Sequence, residues 1–370
     1  MEPIDLTTQI ASHSRKNTSK LEPHQLLDLR TEKDKQAFLA LLESGVVEVI
    51  DEYLDQYKEL LEITYPTPNS RNILNQEMLS IENDLQRITM GTWVYYPWRK
   101  SLVHVLSKKD FHVVQYSRNR LLIASDEQAK CTQLHIAIVG LSVGSSITQI
   151  LTLEGIAHAF TLVDGDTLSL SNLNRILGGV SDIGKPKTQI LAQRILEINP
   201  YLEIRTSTQL TKTNAEEILS HAHIILDEID NLAMKYTIRE IAKVHRIPVL
   251  MATDNGEECI IDIERYDLDD VKAPFNGHMP NLSAHQLDSL SKMETGRLVS
   301  KFIDERYVSE RMRKSLQNIG KTITTWPQLG GTAFMNAGLI SKAIRTIATG
   351  QPLKSGRFRF SREDLLDNIV

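Results

Sequence analysis

Residues 135–147 read H-I-A-I-V-G-L-S-V-G-S-S-I: an apolar run that buries as a strand, a turn opened by Gly140, and the start of a helix. A glycine turn of this kind lets the backbone approach a phosphate, and the N–H groups left over at a helix N-terminus attract negative charge. Gly140 and Gly144 are the glycines of the turn, and Ser142 stands where a further glycine is usual. Taken alone, the stretch fits a nucleotide site, and it also fits a turn that merely packs a helix on a sheet.

Downstream of it, short apolar runs alternate with helical ones. Strands are expected at 135–139, 159–163, 203–206, 223–227 and 248–252, and helices at about 144–154, 187–198, 213–220 and 231–245. The alternation predicts an α/β fold with a mostly parallel sheet and helices on both faces. A further strand is expected over 259–265, charged helix over much of 284–319, and a small-residue helix over 331–348. Upstream, residues 1–22 are polar and expected to be flexible. Residues 23–115 form a smaller α+β region. Phe38, Leu41, Leu42, Val46 and Val47 recur at helical spacing, and Gly91-Thr92-Trp93-Val94-Tyr95-Tyr96-Pro97-Trp98 followed by Ser101–Leu106 reads as a hairpin. The domain of the glycine turn is placed at 116–350 and a tail at 351–370.

The chain has 370 residues, 41% hydrophobic and 24% charged, which is an ordinary globular balance. Mean hydropathy is −0.23 and no apolar run nears the ~20 residues of a spanning helix, so no membrane role is expected. Net charge −5 argues against a nucleic-acid binder that relies on a general positive field. Two cysteines, Cys131 and Cys259, make neither a disulfide framework nor a four-cysteine zinc site, so the expected compartment is reducing and cytoplasmic.

The second strand ends in the D-G-D of Asp164 and Asp166. An acid about 20 residues past the glycine turn commonly accepts hydrogen bonds from a ribose, and up to this point a nicotinamide dehydrogenase reads equally well. The continuation separates the two. S-N-L-N-R (171–175) and G-K-P-K (184–187) supply Asn172, Arg175 and Lys187, more cationic and polar capacity than a dinucleotide needs and what a triphosphate requires. The fourth strand ends in D-E-I-D-N (227–231) at the sheet edge where ligands of open α/β sheets bind. Asp230 is the expected Mg²⁺ ligand, since that ion takes one or two carboxylates plus phosphate oxygens and water. Asp227 is read as a candidate cap for the following helix, and Asn231 as support for the turn.

Together with Tyr116-Ser117-Arg118-Asn119-Arg120, these elements resemble the ThiF/MoeB superfamily, the adenylyltransferases related to ubiquitin-activating enzymes. The resemblance covers roughly residues 116–265 and, more weakly, 326–350. It implies a Rossmann-like sheet that binds ATP and Mg²⁺ and transfers AMP to a carboxylate-bearing substrate, a small molecule or a peptide C-terminus, with release of pyrophosphate. Carried over by position, Asp164 holds the ribose, Asn172, Arg175 and Lys187 the phosphates, and Asp230 the metal. Arg118 matches an arginine that reaches the triphosphate from the other subunit of a homodimer.

Three departures stand out. In the loop G-L-S-V-G-S the span from Gly140 to Gly144 is one residue shorter than that from first to last glycine of the family's G-x-G-G-x-G, the paired C-x-x-C zinc motifs are missing, and no cysteine follows Cys259, so adenylation without a thioester is expected. G-T-W-V-Y-Y-P-W ahead of Y-S-R-N-R resembles a bacterial subgroup of which some members continue into a nitroreductase-like domain, which makes such a domain a conceivable partner. The alternatives are a tRNA-modifying dehydratase using the same adenylate chemistry and a non-catalytic ATP-binding module. Trp93, Tyr95, Tyr96 and Trp98 are read as core or interface, His221 and His223 as packing, and the segment 267–281 as a cover for the acceptor substrate.

Overall fold

A computed structural model describes residues 21–361 apart from 46, 68–70, 80, 82–83, 269–270, 272, 283–285, 288 and 305–307. Residues 1–20 of the expected flexible stretch 1–22, and residues 362–370 of the tail 351–370, lie outside the described residues.

Two sheets carry the chain. The larger has seven strands in the order β11-β10-β9-β8-β5-β6-β7. β5 (His135–Val139), β6 (Ala159–Val163), β7 (Glu203–Ser207), β8 (Ile224–Asp227) and β9 (Val249–Asn255) are parallel neighbours, and β10 (Glu258–Glu264) and β11 (Gly356–Ser361) continue the sheet antiparallel. β5 and β6 lie fully in register, His135 opposite Ala159 and Val139 opposite Val163. Ile136, Ile138, Phe160 and Leu162 are wholly buried under the helices Val143–Leu153 and Lys187–Ile198, while Ala137, Val139 and Ile225 pack on the opposite face against Leu232–His245. This is the expected α/β, mostly parallel sheet covered on both faces. β11 is a strand that the sequence reading does not contain.

Because β5 has β6 on one side and β8 on the other, the chain leaves their C-terminal ends in opposite directions and opens a crevice there. The long helix Gly330–Ala348 packs along Val143–Leu153, tied by Ser341 and Arg345 to Glu154.

The smaller sheet has the order β1-β3-β4-β2, formed by β1 (Gln25–Leu27), β2 (Glu48–Ile50), β3 (Thr92–Tyr96) and β4 (Ser101–Val105). The expected hairpin is β3–β4, and its aromatics are core and interface. Trp93 stacks on the buried His104 at 4.2 Å. The Tyr96 hydroxyl donates to Leu196 O at 3.0 Å and the Trp98 indole N–H to Glu197 at 2.6 Å, so the small sheet rests on the helix Lys187–Ile198. Among the described residues no helix is long and apolar enough to cross a membrane.

Candidate active site

A cavity of about 910 Å³ occupies the crevice beyond the ends of β5, β6, β8 and β9. Gly140 sits at φ +96°, and a Cβ there would fall 2.3 Å from Glu228 O, so the loop after β5 passes the loop after β8 at a separation that only glycine allows. Ser142 starts the helix Val143–Leu153 without a side-chain cap; its Oγ instead accepts from Arg175 Nε at 2.9 Å. Gly144 does not line the cavity. It faces β5, where an added Cβ would meet Ile138 at 2.8 Å, so its work is close helix–strand packing.

Asp164 is stitched into the turn. One carboxylate oxygen accepts from Leu141 N and the other from Asp166 N, each at 2.7 Å, which leaves further lone pairs for a ligand hydroxyl. Lys187 is 8% exposed and reaches Asp166 at 2.8 Å and Asp164 at 3.8 Å. Asn172 accepts from Ser169 N at 3.1 Å and lines the cavity beside Arg175. Burial lowers the Arg175 pKa, against the pull of Asp254 and Asp230, and among the described residues the guanidinium hydrogen-bonds to neutral oxygens, those of Ser142 and Asn174.

At β8 the two acids part. Asp230 is exposed and lines the cavity. Asp227 is fully buried and ion-paired with Lys235 at 3.1 Å and with Arg239. It therefore does not cap the next helix: Asn231 does, accepting from Met234 N at 3.0 Å. Burial would raise the Asp227 pKa, but Lys235 and Arg239 more than offset that and hold it below the usual range.

Three lining groups were missed by sequence reasoning. Lys235 is one. Glu228, which accepts from Ala252 N at 2.8 Å, is another, and burial pushes its carboxyl well above the ordinary value. The third, Asp254, is the penultimate residue of the parallel strand β9, so the strand-end rule that selected Asp227 and Asp230 would have selected it too. Arg118 lies on an exposed turn, Ser117–Asn119, outside the lining of this cavity. Cys131 and Cys259 are both buried and away from it. Among the described residues no three His, Cys, Asp or Glu side chains are grouped to hold a metal.

The lining holds the acids Asp164, Asp166, Asp227, Glu228, Asp230 and Asp254 against the cations Arg175, Lys187 and Lys235. Two of those cations are committed to ion pairs, Lys187 with Asp166 and Lys235 with Asp227. A polyphosphate here would need positive charge brought with it.

Residues 116–260 match the model of the ThiF family. Over 320 residues it is 34% identical to an uncharacterized protein of Mycobacterium tuberculosis, covering 86% of this chain and 43% of that protein. It is 32% identical over 156 residues to the sulfur carrier protein ThiS adenylyltransferase of Escherichia coli, covering 41% of this chain and 61% of that one. With the tRNA threonylcarbamoyladenosine dehydratase of Haemophilus influenzae it shares 28% identity over 152 residues, 40% of this chain and 58% of that one. The chain spans less than two thirds of each of these relatives.

Proposed function

We propose that this chain binds ATP with Mg²⁺ and transfers AMP to a carboxylate, forming an acyl-adenylate and releasing pyrophosphate. The observation that carries the reading is one cavity that gathers the glycine turn, Asp164, Asn172, Arg175, Lys187 and Asp230 from separate strand ends. The likeness to an adenylyltransferase over the same stretch supports it.

In this reading Asp164 receives a ribose hydroxyl, and the N–H groups at the start of Val143–Leu153 with Asn172, Arg175 and Lys187 receive the phosphates. The substrate carboxylate attacks the α-phosphorus. Negative charge then grows on the phosphoryl oxygens and on the departing pyrophosphate, where fixed cations lower the barrier without reorganising. Arg175 is suited to this because its partners are neutral and can be exchanged for phosphate. Mg²⁺ at Asp230 would supply charge neutralisation to the phosphates. Arg118, outside the cavity of its own chain, is assigned to a second copy's cavity in a homodimer. The dehydratase relative matches over a similar span, but net charge −5 argues against the general positive field on which binding of a polyanion the size of tRNA relies.

The test is Mg²⁺-dependent ATP–pyrophosphate exchange across a panel of amino acids, organic acids and peptides. Exchange is expected with at least one carboxylate, falling about a hundredfold or more in Arg175→Ala and Asp230→Ala. Undiminished exchange in Asp230→Ala would remove the metal assignment, and ATP binding without exchange for any carboxylate would leave a binding module. Mixing Arg118→Ala with Arg175→Ala chains should restore part of the activity if the arginine is supplied across an interface.

A further inference from the structure

Beyond the nucleotide residues the cavity continues to a wall that adenylation does not use. Met251, Phe275, Met279, Phe302, Ile303 and Trp326 line it, and Asp254, 3% exposed, lines the same cavity, its backbone carbonyl accepting from the Trp326 indole at 3.2 Å and its charge reaching Arg175. The Asp254 carboxylate accepts from Asn336 Nδ2 at 2.6 Å and from Gln328 Nε2 at 3.3 Å, both neutral donors. Arg175 acts on it through space, and no ion pair reaches it among the described residues. About half of its lone-pair sites remain open.

A carboxylate kept in apolar surroundings with only neutral donors is poorly stabilised as an anion, and a cationic ligand group is what compensates it. Aromatic and thioether walls exclude the water that would otherwise hydrolyse an activated acyl group. Neither cysteine lines the cavity, so the chain offers no thiol of its own there.

We propose that this half of the cavity takes a primary amine as the acceptor of the activated acyl group, with Asp254 receiving its ammonium and then its proton. This rests on the adenylate reading for the acyl donor. The ammonium gives one proton to the Asp254 carboxylate, and the freed nitrogen lone pair attacks the acyl carbon. A C–N bond forms and the acyl C–O bond to AMP breaks, its electron pair leaving with the phosphate. The second amine proton passes to the departing AMP phosphate. The products are an amide and AMP, with no oxidant or reductant required.

The test uses the full chain at pH 7.5 without ATP and two probes that share a ring, benzylammonium and benzyl alcohol, followed by calorimetry. Wild type should prefer benzylammonium at least tenfold. Asp254→Asn should lose that preference while binding benzyl alcohol as the wild type does, which also shows the pocket intact. Equal binding of the two probes, binding of neither, or a preference that survives in Asp254→Asn overturns the proposal. In a second arm, with a carboxylate that supports pyrophosphate exchange, benzylamine should speed AMP release at least tenfold and benzyl mercaptan should not; the reverse order overturns it. Absence of exchange together with a clear ammonium preference would defeat the adenylation reading and leave the ammonium site standing.

Discussion

Burial pushes the Asp254 carboxyl up from its ordinary 3.8 to about 6, against the hydrogen bonds of Asn336 and Gln328 and the charge of Arg175. Between those two values the folded chain keeps a proton that the unfolded chain has lost. Its contribution therefore turns against folding as pH rises through that window, and the full cost, on the order of 3 kcal/mol, applies above it. Asp254→Asn, which keeps the shape and removes the charge, should be more stable than wild type at pH 7.5, with the gap roughly halved at pH 5. Denaturant melts at both pH values measure this, and a gap that fails to narrow would contradict the assigned ionisation.

At the scale of elements, the helix Leu232–His245 holds the cavity wall through Tyr236, whose hydroxyl donates to Pro280 O at 2.6 Å, and through Arg239. Arg239 is 2% exposed, pairs with Asp227 of β8 and with Glu264 of β10 at 2.7 Å, and lies 3.6 Å over the Phe275 ring. Glu264 in turn accepts from Phe275 N at 2.7 Å. Phe275 and Asn276 have φ near +55°, a backbone region that costs non-glycine residues on the order of 1–3 kcal/mol each and persists only where surroundings impose it. Arg239→Met should cost about 3–5 kcal/mol in urea unfolding, because buried Glu264 loses its counter-charge and Asp227 one of its two. A loss under 1 kcal/mol would mean that Lys235 alone suffices. The motifs were legible where a single element carries them. The glycine turn, D-G-D, S-N-L-N-R and G-K-P-K announce themselves by local spacing, and β5 to β10 by apolar runs. The Arg239 bridge was not, because it joins three elements, and an arginine in a charged helix gives no sign of which face is buried. β11 did leave a trace, since Phe358 and Phe360 alternate with Arg357 and Arg359.

Across the whole molecule, the four-stranded sheet braces the helix that begins at Lys187. Trp98 and Arg99 hold Glu197, Tyr96 holds Leu196, and the Tyr201 hydroxyl returns to Leu106 O at 2.5 Å. Trp98→Ala should destabilise the chain by about 2–4 kcal/mol and speed proteolysis between residues 97 and 125. Unchanged melting would show the two sheets to be energetically independent. The sequence foretold these aromatics as core or interface but not their partners, which lie about a hundred residues away. The cavity shows the same separation along the chain. The side proposed for the nucleotide is drawn from residues 140–235 and the opposite wall from 251–328, with Asn336 behind it. On the proposed reading, change in the later stretch can alter the product while the donor chemistry is inherited intact, so kinship across the first stretch says little about what each relative finally makes.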